Sequence, residues 1–483
     1  MSLSGALNTA FGGLKVNSRA ANVVSTNISN ATNEAYGRRE LGVSALGDNG
    51  TRGGVLATGV IRHTDPVLLA DRMVSDARMA NSNDMHAFAK RIEDLVGESG
   101  TSGSLTDRVT AFENALLSAA SNPAATQRLE LVATTAQDLT TAINNLSSEV
   151  QEARQIADDS IATQVERLNA GIDRLHSIND VMIKAGVSGV ETASILDERQ
   201  AILNEISSIV PLRVVERARG DIALFTRGGG VLLDGPGFEV GFTPTGSIDA
   251  STTLSGGQLS GLTLNGKPVS SGSGGLFAGG SLAAQFQIRD TEAVARQAEL
   301  DGIARDLIER LGPGGPDSTL GPTDAGLFTD NGVAFVATNE TGLAVRIAIN
   351  PLVAPASGGS WRLRDGLGAA TPGEVGDSAL IQGIADALGT AALPSSGALP
   401  GIARSFVHHA SQFASAAVGE RVRTENALSF QTAQNTTLKE LELSKGVDTD
   451  HELQQLMLVE QHYTANAKVI STVDGLFERL LSI

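Results

Sequence analysis

The chain has 483 residues, of which 41% are hydrophobic and only 4% aromatic, and 36 basic against 54 acidic residues leave a net charge of −18. That length allows several domains, and the negative balance argues against nucleic acid or an anionic membrane surface as partner. With no cysteine at all, disulfide staples, thiolate catalysis and cysteine-ligated zinc are excluded.

Trp361, Tyr36 and Tyr463 are the only residues of their two types, so the core must come from Ala, Leu, Val and Ile, which suits packed helices better than a ring-lined pocket. No apolar run approaches the roughly 18–20 residues that cross a bilayer, and no membrane insertion is expected. The start, Met1-Ser-Leu-Ser-Gly-Ala-Leu7, shows neither a basic nor a continuous apolar stretch, so no cleavable signal is expected. If the protein leaves the cell, it needs a route that does not use one.

In chain order, residues 1–34 read as one helix. Apolar or small residues recur at Leu3, Leu7, Ala10, Leu14, Asn17, Ala21, Val24, Ile28 and Ala31, alternating steps of 4 and 3 as in a coiled-coil seam. A glycine-rich loop or extended segment follows from Gly37 to Thr64. Asp65-Pro66 predicts a helix start, with the helix running to about Gly97. Ser104 with Asp107 starts another that stops near Ser121. Asn122-Pro123 predicts the opening of a long helix to about Ala185, and a further helix covers about Ala193–Ile209.

From Leu212 to about Pro400 the character changes. The runs Arg213–Glu216, Ile222–Thr226 and Ala344–Ile349 read as strands between Gly, Ser, Pro and Asp turns, Ser255–Gly280 as surface loops, and 289–311 and Ser378–Leu388 as helices. Helical pattern returns from Ile402 to Lys445 and stops at Gly446, a residue suited to a left-handed cap. Thr449-x-x-Glu452 then reads as a capping box. The last helix carries a second seam: Leu456, Val459, Tyr463, Asn466, Ile470, Val473, Phe477 and Leu480.

The fold class is therefore multidomain α+β: terminal coiled-coil helices and a helical domain around an inserted β-rich domain. The expected divisions are 1–45 with 447–483 for the paired terminal helices, 46–211 with 401–446 for the helical domain, and 212–400 for the β-rich outer domain. Each seam needs a partner helix, and the obvious partner for each is the other, parallel or antiparallel. Such a pair is thin. Ordering costs about 1–2 kcal/mol per residue while a large buried side chain returns roughly 1.5–3 kcal/mol. The ends are expected to be poorly ordered in the lone chain and to gain stability from neighbouring copies. Asn17 and Asn466, the polar members of the seams, are read as setting register between helices.

No catalytic set emerges. His63, His86, His176, His408, His409, His451 and His462 lack the helical spacing of a zinc hydrolase, and His408-His409 are expected at the surface. Gly228-Gly229-Gly230 lacks the Lys-Ser/Thr of a phosphate loop and reads as a turn. Asp448, Asp450 and Glu452 read as helix capping rather than a calcium loop. No cofactor or metal is expected.

Three stretches resemble the flagellar axial proteins. At the start these are Ala6-Leu7 through Leu14, Ser25-Thr-Asn27-Ile28-Ser-Asn30, and Tyr36-Gly-Arg38. At the end they are Gly446-Val447-Asp448 and Glu460-Gln461 through Asp474. Internally it is Leu196-Asp197-Glu-Arg199 through Ile206, followed by the strand at Asp221–Thr226. Within that family the pair Tyr36 and Arg38 is similar to the hook-associated members. One departure is Glu34-Ala35, where the family often has a glycine turn. The resemblance implies a structural subunit of the extracellular flagellum, secreted by type III export and self-associating in a ring at the hook–filament junction. Its implied partners are the hook protein, the third hook-associated protein, and an export chaperone at the C-terminal helix. The seam residues with Tyr36 and Arg38 would form the assembly interface.

Overall fold

The computed structural model describes residues 3–45, 54–97, 100–188, 191–272, 274–355 and 357–482. The chain opens with α1 (Leu3–Ser29) and an antiparallel hairpin, β1 (Arg38–Ala45) with β2 (Val55–His63). The glycine-rich segment read as a loop or extended segment is thus mostly paired strand, although its tip lies outside the described residues. Helix α1 stops five residues before the expected end because Asn30 and Asn33 form turns, Asn33 Oδ1 accepting from Ala35 N at 3.1 Å. Such local side-chain bonds compete with the helical ladder.

Helices α2 (Pro66–Val96) and α3 (Leu105–Ser121) begin where expected. The Asp65 carboxylate accepts from Val67 N and Leu68 N, both at 3.1 Å, and the Ser104 hydroxyl from Asp107 N at 3.2 Å, satisfying amides that a helix start leaves open. The 63-residue α4 (Thr126–Ser188) follows, roughly 95 Å long at 1.5 Å per residue. It starts after the turn at Asn122-Pro123 rather than on it. Next come α5 (Ala193–Ser207), β3 (Leu212–Glu216), β4 (Ile222–Thr226), β5 (Val231–Leu233), β6 (Val240–Gly241), β7 (Leu262–Leu264) and β8 (Lys267–Val269). The first three strands form one antiparallel sheet and the last three another. Gly228-Gly229-Gly230 is the β4–β5 turn, with Gly229 at φ +92°, where glycine carries no steric penalty.

Helix α6 (Ser281–Gln287) passes through a π-helical turn, Ile288–Glu292, into α7 (Ala293–Arg310). Then come β9 (Phe328–Asp330), α8 (Leu343–Arg346), β10 (Ile347–Ile349), α9 (Arg362–Asp365), α10 (Ala379–Gly389), α11 (Phe406–Lys445) and α12 (Thr449–Leu481). Strand β10 pairs with β9. Ala344–Ile349 was expected as one strand, but its first half is a helical turn. The Asp301 carboxylate takes Gly342 N at 2.7 Å and Ala344 N at 2.8 Å, and that long-range cap overrides β propensity. Within Ser255–Gly280, read as loops, Asn265 (φ 49°) and Gly266 (φ 73°) turn β7 into β8. Asn-Gly between short apolar runs is a strong hairpin signal, so that strand pair was legible in the sequence.

Two hydrophobic cores flank α4. Its first half, with Leu139 and Ile143, packs with Phe112 of α3, Leu300 and Ile303 of α7, Ile381 of α10 and Phe406 of α11. Its second half, with Ile161, Leu168 and Leu175, packs with Ile202 and Ile206 of α5, Leu224 of β4 and Phe286 of α6. Between them lies a polar layer. The fully buried Arg289, in the π turn, donates from Nη1 to Asp158 Oδ1 at 2.6 Å and from Nε to Asp290 Oδ1 at 2.8 Å. Arg154 donates to three carbonyls, those of Arg289, Asp249 and Thr252, at 2.9, 2.8 and 2.6 Å. Burial opposes the Arg289 charge, but Asp290 and Asp158 outweigh it and raise its pKa, whereas burial lowers that of Arg154. The layer pins the long helix to the π turn at the boundary between the cores.

Candidate assembly interface at the paired terminal helices

The two seams meet each other, antiparallel. Glu452, in the first turn of α12, reaches Arg38 just beyond the end of α1, while Asn466, halfway along α12, packs on Gly13. A Cβ at Gly13 would lie 2.7 Å from Asn466 Nδ2. Glycine inside a helix costs about 1 kcal/mol relative to alanine, and here its absence of side chain admits the partner's amide. Asn466 therefore sits opposite Gly13, one turn from Asn17, whose own Nδ2 is buried without a hydrogen-bond partner among the described residues. Gly13→Leu should part the helices at a cost of about 1–3 kcal/mol for overpacking. Hydrogen exchange should read this as roughly ten- to hundredfold faster exchange along α1, with the body's melting unmoved. Unchanged exchange would contradict the close approach.

Where α1 ends, a polar network fixes the chain's exit. Asn27, fully buried, donates from Nδ2 to Arg39 O at 2.8 Å and accepts at Oδ1 from Tyr36 Oη at 2.7 Å and Arg39 N at 3.0 Å. Burial pushes the Tyr36 phenol up to about 12, with Arg39 opposing and Asp197 and Glu452 adding to the rise. The hydroxyl accordingly keeps the proton it donates. Arg39 also lies over the Tyr36 ring, 4.8 Å from its centre. Arg38 Nε donates to Glu452 Oε1 at 2.8 Å, and the Glu452 side chain is almost wholly buried. Glu452 is thereby used differently from the capping box expected for it. Asp448 caps α12, accepting from Asp450 N at 2.9 Å and His451 N at 3.1 Å. Gly446, at φ −81°, is not the left-handed cap expected.

The seam residues are covered unequally. Val24 and Val473 are buried; Leu3, Leu7, Leu14, Asn17, Ile28, Tyr36 and Arg38, with Leu456, Val459, Asn466 and Ile470, are half-buried. Tyr463, Phe477 and Leu480 are exposed, Leu480 at 58%. Off the seam, Phe11 of α1 is 66% exposed, and Met457, Leu458, Val469 and Leu476 of α12 are also open. Sequence reasoning missed this second set. Its signal was the spacing of Leu458, Val469 and Leu476, whose steps of 11 and 7 line one helix face.

The other candidates are structural. His409, expected at the surface, is 2% exposed, because it faces the core beside Phe406 and Phe413 while His408 stays outside. Burial holds its pKa below the usual imidazole value. Among the described residues no group of three His, Asp or Glu could hold a metal, and no helix is long and apolar enough to cross a membrane.

Comparison with known proteins finds matches in the helical block and in the C-terminal helix. Residues 89–312 match the family model described as the flagellar hook-associated protein FlgK helical domain. Residues 443–483 match that of the flagellar basal body rod FlgEFG protein C-terminal. Flagellar hook-associated protein 1 of Salmonella typhimurium is 26% identical over 242 residues, covering 48% of this chain and 43% of the relative. The protein of the same name from Bacillus subtilis is 22% identical over 260 residues, 48% of this chain and 51% of the relative. That from Escherichia coli is 23% identical over 262 residues, 52% and 47% of the two chains. The chain spans about half the length of the curated relatives it matches. The solved flagellar hook junction protein FlgK of Burkholderia pseudomallei superposes with a TM-score of 0.44 at 15% identity, over 54% of this chain and 46% of that one. In its helical block this chain is similar to the flagellar hook-associated proteins, and in its C-terminal helix to the flagellar basal body rod proteins.

Proposed function

We propose that this chain is a structural subunit of the bacterial flagellum that forms the junction between hook and filament, polymerising as a ring through its paired terminal helices. The observation that carries the reading is the uncovered apolar surface of that pair. A two-helix unit cannot hide both faces, and Phe11, Met457, Leu458, Val469, Leu476 and Leu480 stay in solvent in the single chain. Each returns roughly 1.5–3 kcal/mol once a neighbour covers it fully. Several large apolar side chains left open on one helix pair fit an association site.

The C-terminal match alone would also fit a rod or hook subunit; the helical-domain match over 89–312 favours the hook-associated reading. On that reading the subunit acts outside the cell after type III export and without catalysis. The hook protein lies on one side of it and the third hook-associated protein on the other, and an export chaperone holds the C-terminal helix before secretion. The terminal residues named above, Leu3 to Arg38 and Leu456 to Leu480, would line the wall between copies, and residues 212–400 would project outward. Electron microscopy of a strain lacking the gene tests it: bare hooks are expected, with flagellin lost to the medium. Normal filaments on that strain would overturn the reading.

A further inference from the structure

Among the described residues the terminal unit (α1, the β1–β2 hairpin and α12) shares no residue with either hydrophobic core, so beyond its two short chain connections polar contacts orient it on the body. One of these is an exposed ion pair, Lys439 with Glu34 at 3.2 Å, of a kind that holds geometry weakly. The other is different. The Asp197 carboxylate, on α5, accepts from Arg62 Nε at 2.8 Å and Gly37 N at 3.0 Å through Oδ1, and from Arg39 Nη2 at 2.5 Å through Oδ2. The three side chains are only 10–18% exposed. Arg39 lies on β1, Arg62 on β2, and Gly37 in the turn between α1 and β1. One carboxylate thus binds both strands of the hairpin and the exit of α1 at once.

Helix α5 is itself locked. Ile202, Leu203 and Ile206 are buried in the second core, so Asp197 is held by the rigid body and not by the part it grips. Gly37 fits the same joint, since a Cβ there would lie 2.5 Å from Arg62 Nε. Charge-assisted bonds from a fixed carboxylate to two guanidiniums restrict direction as well as distance.

We propose that Asp197 is the positioning residue that sets the angle between the terminal helix pair and the body, so that every copy presents its helices to neighbours in one orientation. The purpose of that fixed angle rests on the assembly reading; the joint itself is a property of the lone chain and is tested there. The chain has no cysteine, so Ser18→Cys on α1 and Glu166→Cys on α4 place two spin labels without background in the full-length protein. Pulsed electron resonance should give a narrow distance distribution. Asp197→Asn, which keeps the shape and removes the charge, should at least double its width, while Asp197→Glu keeps it close to the parent width and the melting of the body stays unchanged. A parent-like width for Asp197→Asn overturns the proposal. So does equal broadening by Asp197→Glu, which would make shape rather than charge the cause. Filament counts in the deletion strain test the assembly reading separately.

Discussion

A strain whose only copy carries Val473→Asp should make hooks without filaments and fail to swim, while the purified variant melts as the parent does. Val473 is 5% exposed and belongs to neither core of the body. It is the one fully covered apolar residue of the α12 seam, so its loss falls on the terminal pair alone. Removing the isopropyl group forfeits roughly 1.5–3 kcal/mol of burial. Placing a carboxylate there without a partner adds a further penalty of several kcal/mol, or forces the helices apart. Nothing else in the pair offsets this: on α1 only Ala10, Val24 and Asn27 are buried. Swimming and microscopy of the strain, with calorimetry of the protein, separate the effects. Full filaments on a motile Val473→Asp strain would remove the role assigned to the helix pair, and a collapsed body would show the two parts to be one unit.

The terminal helices were legible because their evidence is local and periodic. A 4–3 spacing at each end named both helices; Asp448 caps the second of them, as Asp65 and Ser104 cap α2 and α3. The seam also named its own partner. Its depth could not be read the same way, since Val473 and Leu480, seven residues apart, occupy equivalent steps yet only the first is covered. That difference depends on where the partner helix runs, which spacing does not encode. Glu452 illustrates the same limit. Its position suits a capping box, but a guanidinium brought from Arg38, 414 residues away, takes the carboxylate instead. The α8 turn, set by Asp301, and the buried His409 are likewise products of distant neighbours. The polar layer of the body was illegible throughout, because an isolated Arg or Asp in a helical pattern reads as surface.

That polar layer carries the second large expectation. Arg289→Ala should destabilise the body by about 3–5 kcal/mol, the usual cost of breaking a buried ion pair from one side. Both Arg289 and Asp158 are fully buried, so the carboxylate left behind keeps only its bond from Thr245 N and no countercharge within the pair. The carbonyl of Ser260 loses its donor at the same time, and the cation over the Phe286 ring, 4.8 Å from its centre, is gone. Because α4 runs through both cores, the damage reaches each of them, and the urea transition of the whole body should move to lower concentration. Replacing the pair together, as Arg289→Met with Asp158→Leu, should recover much of the loss, since apolar replacement of a buried pair is often near neutral. A single variant as stable as the parent would mean that water reaches Asp158, and that the long helix is held by its apolar flanks alone.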